Sequence, residues 1–314
     1  RLVKKLSTSF QDVRMYGRSE DKQNFLGAFK SEDEYGMGVG GGTTVNDCSK
    51  IYRLGFLRKV YGILTIQLIA TAVICAMAMR IPGEVVKTKS VDYTVLAFGS
   101  FLAGSQGFQI VVFIVSIGVL FWLMFKKDSY PTNMILLSFW TVMMAMTVAT
   151  ACSATICDPL VLQSGNVVPL SMATKGGSMS LYGGSLKCAM NTPRFYEGSN
   201  SVLMALGITA SLFFALTAFT LQSKWDFSFL GAGLFAATWI LVIWGFVMML
   251  FGGGANVRYL YALAGSVIFS LYIVFDTWMI TNRLGPDDYI IAAIDLYLDI
   301  INLFIFILQL LRRE

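Results

Sequence analysis

The strongest constraint in this chain is a series of apolar stretches, each about 20 residues or longer, that recur as far as residue 311. Seven are separable: 57–79, 95–125, 134–157, 201–222, 229–251, 259–281 and 289–311. A bilayer core about 30 Å thick is crossed by roughly 20 helical residues, each rising about 1.5 Å. Lipid offers no partner to backbone N–H and C=O groups, so such segments must satisfy those groups internally as helices. The pattern therefore predicts an all-α polytopic membrane protein. A chain that is 56% hydrophobic and 14% charged, with mean hydropathy +0.66, agrees. Small residues in "GAGLFAAT" and "ALGITAS" allow close helix approach in lipid, and "MMAM" at 143–146 reads as adaptable core filler.

Two polar regions interrupt this pattern. Residues 1–50 end in "GMGVGGGTT" and read as a flexible tail; no Gly-Lys-Ser/Thr follows, so the glycines do not form a phosphate loop. The opening "RLVKKLSTSF" is compatible with the remnant of a targeting segment. Residues 51–314 form the transmembrane domain, and 158–200, rich in Gly, Ser, Thr and Asn with Pro159, Pro169 and Pro193, is an inserted polar loop. Lys50, Arg53, Arg58, Lys59, Lys126, Lys127, Lys224 and Arg283 gather on one side, against Arg80, Lys87, Lys89 and Arg258 on the other. That asymmetry places the tail on the cytosolic side. Seven crossings then leave "LRRE" on the far side, against the same rule, whereas a last segment that dips in and returns would obey it. Both readings stand. The basic excess in the first sixty residues suits an anionic membrane surface as partner rather than nucleic acid.

Histidine is absent, which removes hydrolysis by a histidine base, histidine-ligated haem and the common zinc sites. No tightly bound cofactor and no enzymatic activity is implied. The five cysteines contain no CxxC pair; Cys157 and Cys188, flanking the polar loop, either join in an oxidising compartment or remain free thiols.

The residues that least fit lipid are acidic. Asp276 lies about 8 Å before the end of the sixth span, and Asp299 about 15 Å into the seventh. Asp295 and Asp299 are four apart and share a helix face. An ionised aspartate in mid-span costs on the order of 3 kcal/mol, so three would cost on the order of 9 kcal/mol. Protonation, a proton shared between carboxyls, a bound cation or a water-filled cavity would relieve that cost. Two carboxyls sharing one proton link their helices, and loss of the proton converts the link into repulsion. The ionised oxygens are hard ligands suited to transient Ca²⁺. The bland alternative turns each aspartate toward the headgroups, or uses it at a broken helix.

"RLGFLRKVYGILTIQL", "PTNMILLSFWT", "LTAFTLQSKWDFSFLGAGLF", "FSLYIVFDTWMI" and "YIIAAIDLYLDIINLF" occur in this order. With these motifs the chain resembles the Bax inhibitor-1 family, the transmembrane Bax inhibitor motif proteins, and within it the Lifeguard-like branch. The resemblance covers about residues 50 to 311 apart from the insertion. It implies a seven-helix bundle with a central last helix wrapped by the other six, a pH-controlled Ca²⁺ leak, and a dampening of cell death. It also implies a proton-sensitive pair formed by Asp276 of "VFDT" and Asp299 of "YLDIIN". It places the protein in the endoplasmic reticulum or Golgi membrane, with the mitochondrial inner membrane as the alternative. Three features depart from the family. Asp295 stands where an uncharged residue is usual, which adds a third pH-sensing candidate; the 158–200 insertion is long; and the second span brings no basic residue to the aspartates.

Other readings remain at this stage. A non-transporting accessory subunit could use 158–200 and the tail to bind membrane-protein partners. An intramembrane aspartyl protease would want Gly-x-Gly-Asp, whereas Asp299 follows "LYL". Span count alone would also admit a seven-helix receptor, which no motif supports.

Overall fold

The structure, a computed structural model, describes residues 50–87, 92–163, 166–170, 179–181, 186–285 and 287–312. The tail expected over 1–50 falls outside these residues save for Lys50, and so does Lys89. Among the described residues there are eight helices: α1 (Lys50–Arg80), α2 (Ala97–Gly104), α3 (Gln106–Phe125), α4 (Thr132–Ile156), α5 (Pro193–Gln222), α6 (Leu230–Phe251), α7 (Ala255–Asn282) and α8 (Tyr289–Leu311). Seven of them, all but the short α2, are long and apolar enough to cross a membrane.

The helices form two layers around α8. The inner layer, α1, α4, α5 and α7, packs directly against α8. Of the outer helices, α3 rests mainly on α4 and α6 on α7. The enclosure expected from six helices thus comes chiefly from four. Burial follows the layering: 72% of the most apolar stretch of α8 is enclosed, against 22% for α3 and 11% for α6. α8 runs unbroken for 23 residues, about 34 Å, so it traverses the bundle. The alternative of a segment that dips in and returns does not hold. At its far end Arg312 donates to the Ala154 carbonyl near the end of α4 (3.4 Å).

Two expectations need correction. Residues 95–125 are not a single span. Strand β2 (Tyr93–Leu96) and α2 come first, the chain leaves helical geometry at Ser105 (φ −98°, ψ 74°), and α3 begins at Gln106. α2 lies so close to α1 that a Cβ on Gly99 would stand 2.6 Å from the Ala78 carbonyl oxygen. Hydropathy registers the apolar run but not this break. Nor is 158–200 loop throughout. Thr192 caps α5, its hydroxyl accepting from the Phe195 N–H (3.2 Å), and Pro193 occupies the first turn, so the helix starts eight residues before the expected 201.

The connections after α1 and after α4 are woven into one cap. β1 (Pro82–Val86) pairs antiparallel with β2, while β3 (Leu160–Gln163) pairs antiparallel with both β4 (Asn166–Pro169) and β5 (Met179–Leu181). The Leu96 N–H donates to the Cys188 carbonyl (2.9 Å), the Met190 N–H to the Thr94 carbonyl (2.7 Å), and Lys187 pairs with Glu84 (2.7 Å). A disulfide joins Cys157, at the end of α4, to Cys188. Of the two cysteine readings, the structure has the bonded one; Cys75 and Cys152 are free and buried.

Candidate functional site

The site forms where α7 crosses α8. Near the cap end of this crossing, the Phe306 ring fills the space beside Gly265, where a Cβ would stand 2.5 Å from ring carbon. Close approach of the two backbones there depends on that missing side chain. Toward the other end, Asp276 lies six residues before the end of α7, and Asp295 and Asp299 lie one turn apart on α8.

All three predicted residues come together. The Asp276 and Asp299 carboxyls meet within hydrogen-bonding range, and Asp295 lies close enough to interact electrostatically with both. Asp299 is buried, 5% exposed, and its Oδ2 has no hydrogen-bond partner within the protein; Asp276 and Asp295 are half-buried. None of the three caps a broken helix, since each sits within an unbroken one. Among the described residues, the charged groups that interact with these carboxyls are the carboxyls themselves. The second span, α3, rests mainly on α4, so a basic residue there would not lie against α8.

Among the described residues, no group of three or more His, Cys, Asp or Glu side chains is arranged to hold a metal ion.

At the end nearest the carboxyls, the start of α8 is fastened to its neighbours. Lys127, just beyond α3, pairs with Asp288 (2.9 Å), and the Lys59 ammonium of α1 lies 3.2 Å from the centre of the Tyr289 ring. The Asp288 carboxylate holds the Lys127 ammonium above its ordinary value. Lys126, Lys127, Lys224 and Arg283 lie in the connections at this end, opposite the disulfide cap.

Sequence reasoning missed the polar ties that α1 makes to α8 and to α4. Thr71 of α1 and Tyr297 of α8 share a buried hydrogen bond (2.7 Å), and Gln67 of α1 donates to Thr141 of α4 (3.0 Å). The available signal was Gln67 and Thr71, two polar residues four apart within the otherwise apolar first span.

The family described as "Inhibitor of apoptosis-promoting Bax1" matches residues 53–183 and 166–314. Bax inhibitor 1 of Schizosaccharomyces pombe is 32% identical over 86% of this chain and 80% of its own length. The Golgi anti-apoptotic protein of Vaccinia virus (strain Lister) is 32% identical over 90% of this chain and 93% of its own. Protein lifeguard 4 of Mus musculus is 31% identical over 90% and 92%.

Proposed function

The chain belongs to the family of inhibitors of apoptosis-promoting Bax1, and from that premise we propose that it is a pH-sensitive cation leak that passes Ca²⁺ and restrains cell death. The observation that carries the leak is the meeting of Asp276 and Asp299 between two helices inside the bundle. A role in restraining cell death follows the names of the fungal and viral relatives. Those names describe regulators rather than catalysts, and we assign no enzymatic activity.

One proton between the two carboxyls makes a hydrogen bond that ties α7 to α8. Its loss leaves two negative charges in contact. At an effective dielectric of about 20 and a separation of about 4 Å, they repel by roughly 4 kcal/mol, and the seam is loosened just as the freed oxygens become ligands for a cation. Acid therefore closes the path and alkali opens it. Asp276 lies about 9 Å from the end of α7 at the Lys- and Arg-rich side, so it is the pH on that side that matters. Asp295 is a third carboxyl within reach, able to hold a further proton or assist the ion.

The proposed orientation puts the basic end in the cytosol and the disulfide cap in an oxidising lumen. An endoplasmic reticulum or Golgi membrane fits both, with the mitochondrial inner membrane as the alternative. Purified protein in vesicles, with Ca²⁺ efflux followed against pH, tests the reading. Efflux should rise with pH, and Asp276→Asn and Asp299→Asn should each flatten that response. Efflux with an unaltered pH response in both variants would remove the pair from the mechanism.

A non-transporting accessory subunit is the second reading, favoured by the exposed Leu162, Leu170 and Leu181 on the cap. Recovery at fixed stoichiometry with another membrane protein, without efflux, would favour it.

A further inference from the structure

Threonines inside these helices mostly spend their hydroxyl on the carbonyl one turn back. Thr71, Thr141, Thr209 and Thr220 all do so, at 2.8–2.9 Å. Thr217 and Thr277 do not. Both are buried, 8% and 0% exposed, and neither hydroxyl has a hydrogen-bond partner within the protein. The hydroxyl of Tyr61 is buried and unbonded as well.

These three groups come from three helices and converge. The Tyr61 ring of α1 lies 6.4 Å from that of Phe213 on α5, one turn before Thr217, and the Tyr61 hydroxyl comes within interaction range of both Thr217 and Thr277 of α7 without a hydrogen bond of ordinary length to either. Thr217 and Thr277 each lie about 8 Å from the basic end of their helices, and Tyr61 about 11 Å from the start of its span. Asp299 is deeper, about 15 Å along α8. The hydroxyls thus lie between the basic end and the inner carboxyl, with Thr277 next in sequence to Asp276.

A buried polar group left unbonded costs about 1–3 kcal/mol, whereas an apolar group of the same shape at that position costs nothing of the kind. Three such groups facing one another match the roughly three hydrogen bonds that a buried water makes. We propose that Tyr61, Thr217 and Thr277 form a hydration site that supplies the Asp276–Asp299 pair from the basic end, holding the water through which a proton or a partly hydrated cation reaches the carboxyls. The site's part in ion passage rests on the leak reading; its hydration does not.

Two readouts keep these apart. Radiolytic hydroxyl-radical footprinting of the whole protein in vesicles should oxidise Tyr61 several-fold faster than Tyr297, a fully buried tyrosine whose hydroxyl is bonded to Thr71. The double variant Thr217→Val, Thr277→Val should bring Tyr61 down to the rate of Tyr297. In the efflux assay the same variant should lower Ca²⁺ flux about tenfold and leave the midpoint of the pH response in place, which the Asp276→Asn variant does not. Tyr61 labelling no faster than Tyr297 in the unaltered protein overturns the hydration site, whether or not any variant folds. Fast labelling with efflux unchanged in the double variant, while Asp276→Asn alters it, overturns its role in supplying the pair. If the unaltered protein shows no efflux at any pH, the leak reading fails and the footprint alone decides whether the site is hydrated.

Discussion

α6 and α8 are close counterparts by composition: 22 and 23 residues, nearly equal in hydropathy, each long enough to cross a membrane. Their surroundings are opposite. α6 has 11% of its most apolar stretch enclosed and leans mainly on α7, with Trp239, Val242 and Phe246 facing outward; α8 has 72% enclosed among four helices. Lipid is as apolar as leucine, so hydropathy cannot tell a helix bathed in lipid from one bathed in protein. What separates them is the polar content. α8 carries Asp295, Asp299 and Asn302, and α6 carries no charged residue. On the proposed reading, a carboxyl that would be costly against lipid is tolerated where another carboxyl can share its proton.

That contrast can be broken by moving the charge. Val242→Asp, on the outward face of α6, should cost on the order of 3 kcal/mol and sharply reduce the membrane-integrated fraction, whereas Asp299→Asn should leave that fraction intact and abolish only the pH response. Packing gives the next largest effect. Gly265→Ala drives a methyl group into Phe306 and should destabilise by about 1–3 kcal/mol, while Gly233→Ala on α6, with nothing within 4 Å of its new Cβ, should not lower the melting temperature. Tyr297→Phe removes the tie from α8 to Thr71 and should cost about 1 kcal/mol, read as a lowered unfolding midpoint. Lys127→Gln should cost least, under about 1 kcal/mol, because the Lys127–Asp288 pair is partly exposed to solvent. Since Asp288 raises the lysine above its ordinary 10.5, that contribution is whole below this value and fades only as pH climbs through the raised one; the variant's deficit should be equal at pH 6 and pH 8.

The sequence disclosed the spans because their signal is summed over twenty residues, and it disclosed Asp276, Asp295 and Asp299 because charge in an apolar run is conspicuous. The break at Ser105 was hidden, since Ala97–Gly104 is as apolar as the helix after it and only the close contact between Gly99 and Ala78 sets it apart. The start of α5 was hidden as well: Arg194, Glu197, Ser199 and Asn200 read as loop, although Thr192 and Pro193 carry a helix-start signal. Thr217 and Thr277 escaped notice because a threonine in a span ordinarily bonds its own backbone, and only the folded chain shows that these two do not. The Cys157–Cys188 bond depends on a fold that brings the end of α4 to the strand-bearing cap, information no spacing rule contains.

Infrared difference spectroscopy of the protein in vesicles, recorded across a pH titration alongside Ca²⁺ efflux, tests the shared proton most directly. The carbonyl stretch of a protonated carboxyl should disappear over the same pH interval in which efflux appears, and Asp276→Asn and Asp299→Asn should each abolish both changes. A carboxyl signal that stays constant while efflux rises, or a pH response that survives in both variants, would contradict the account.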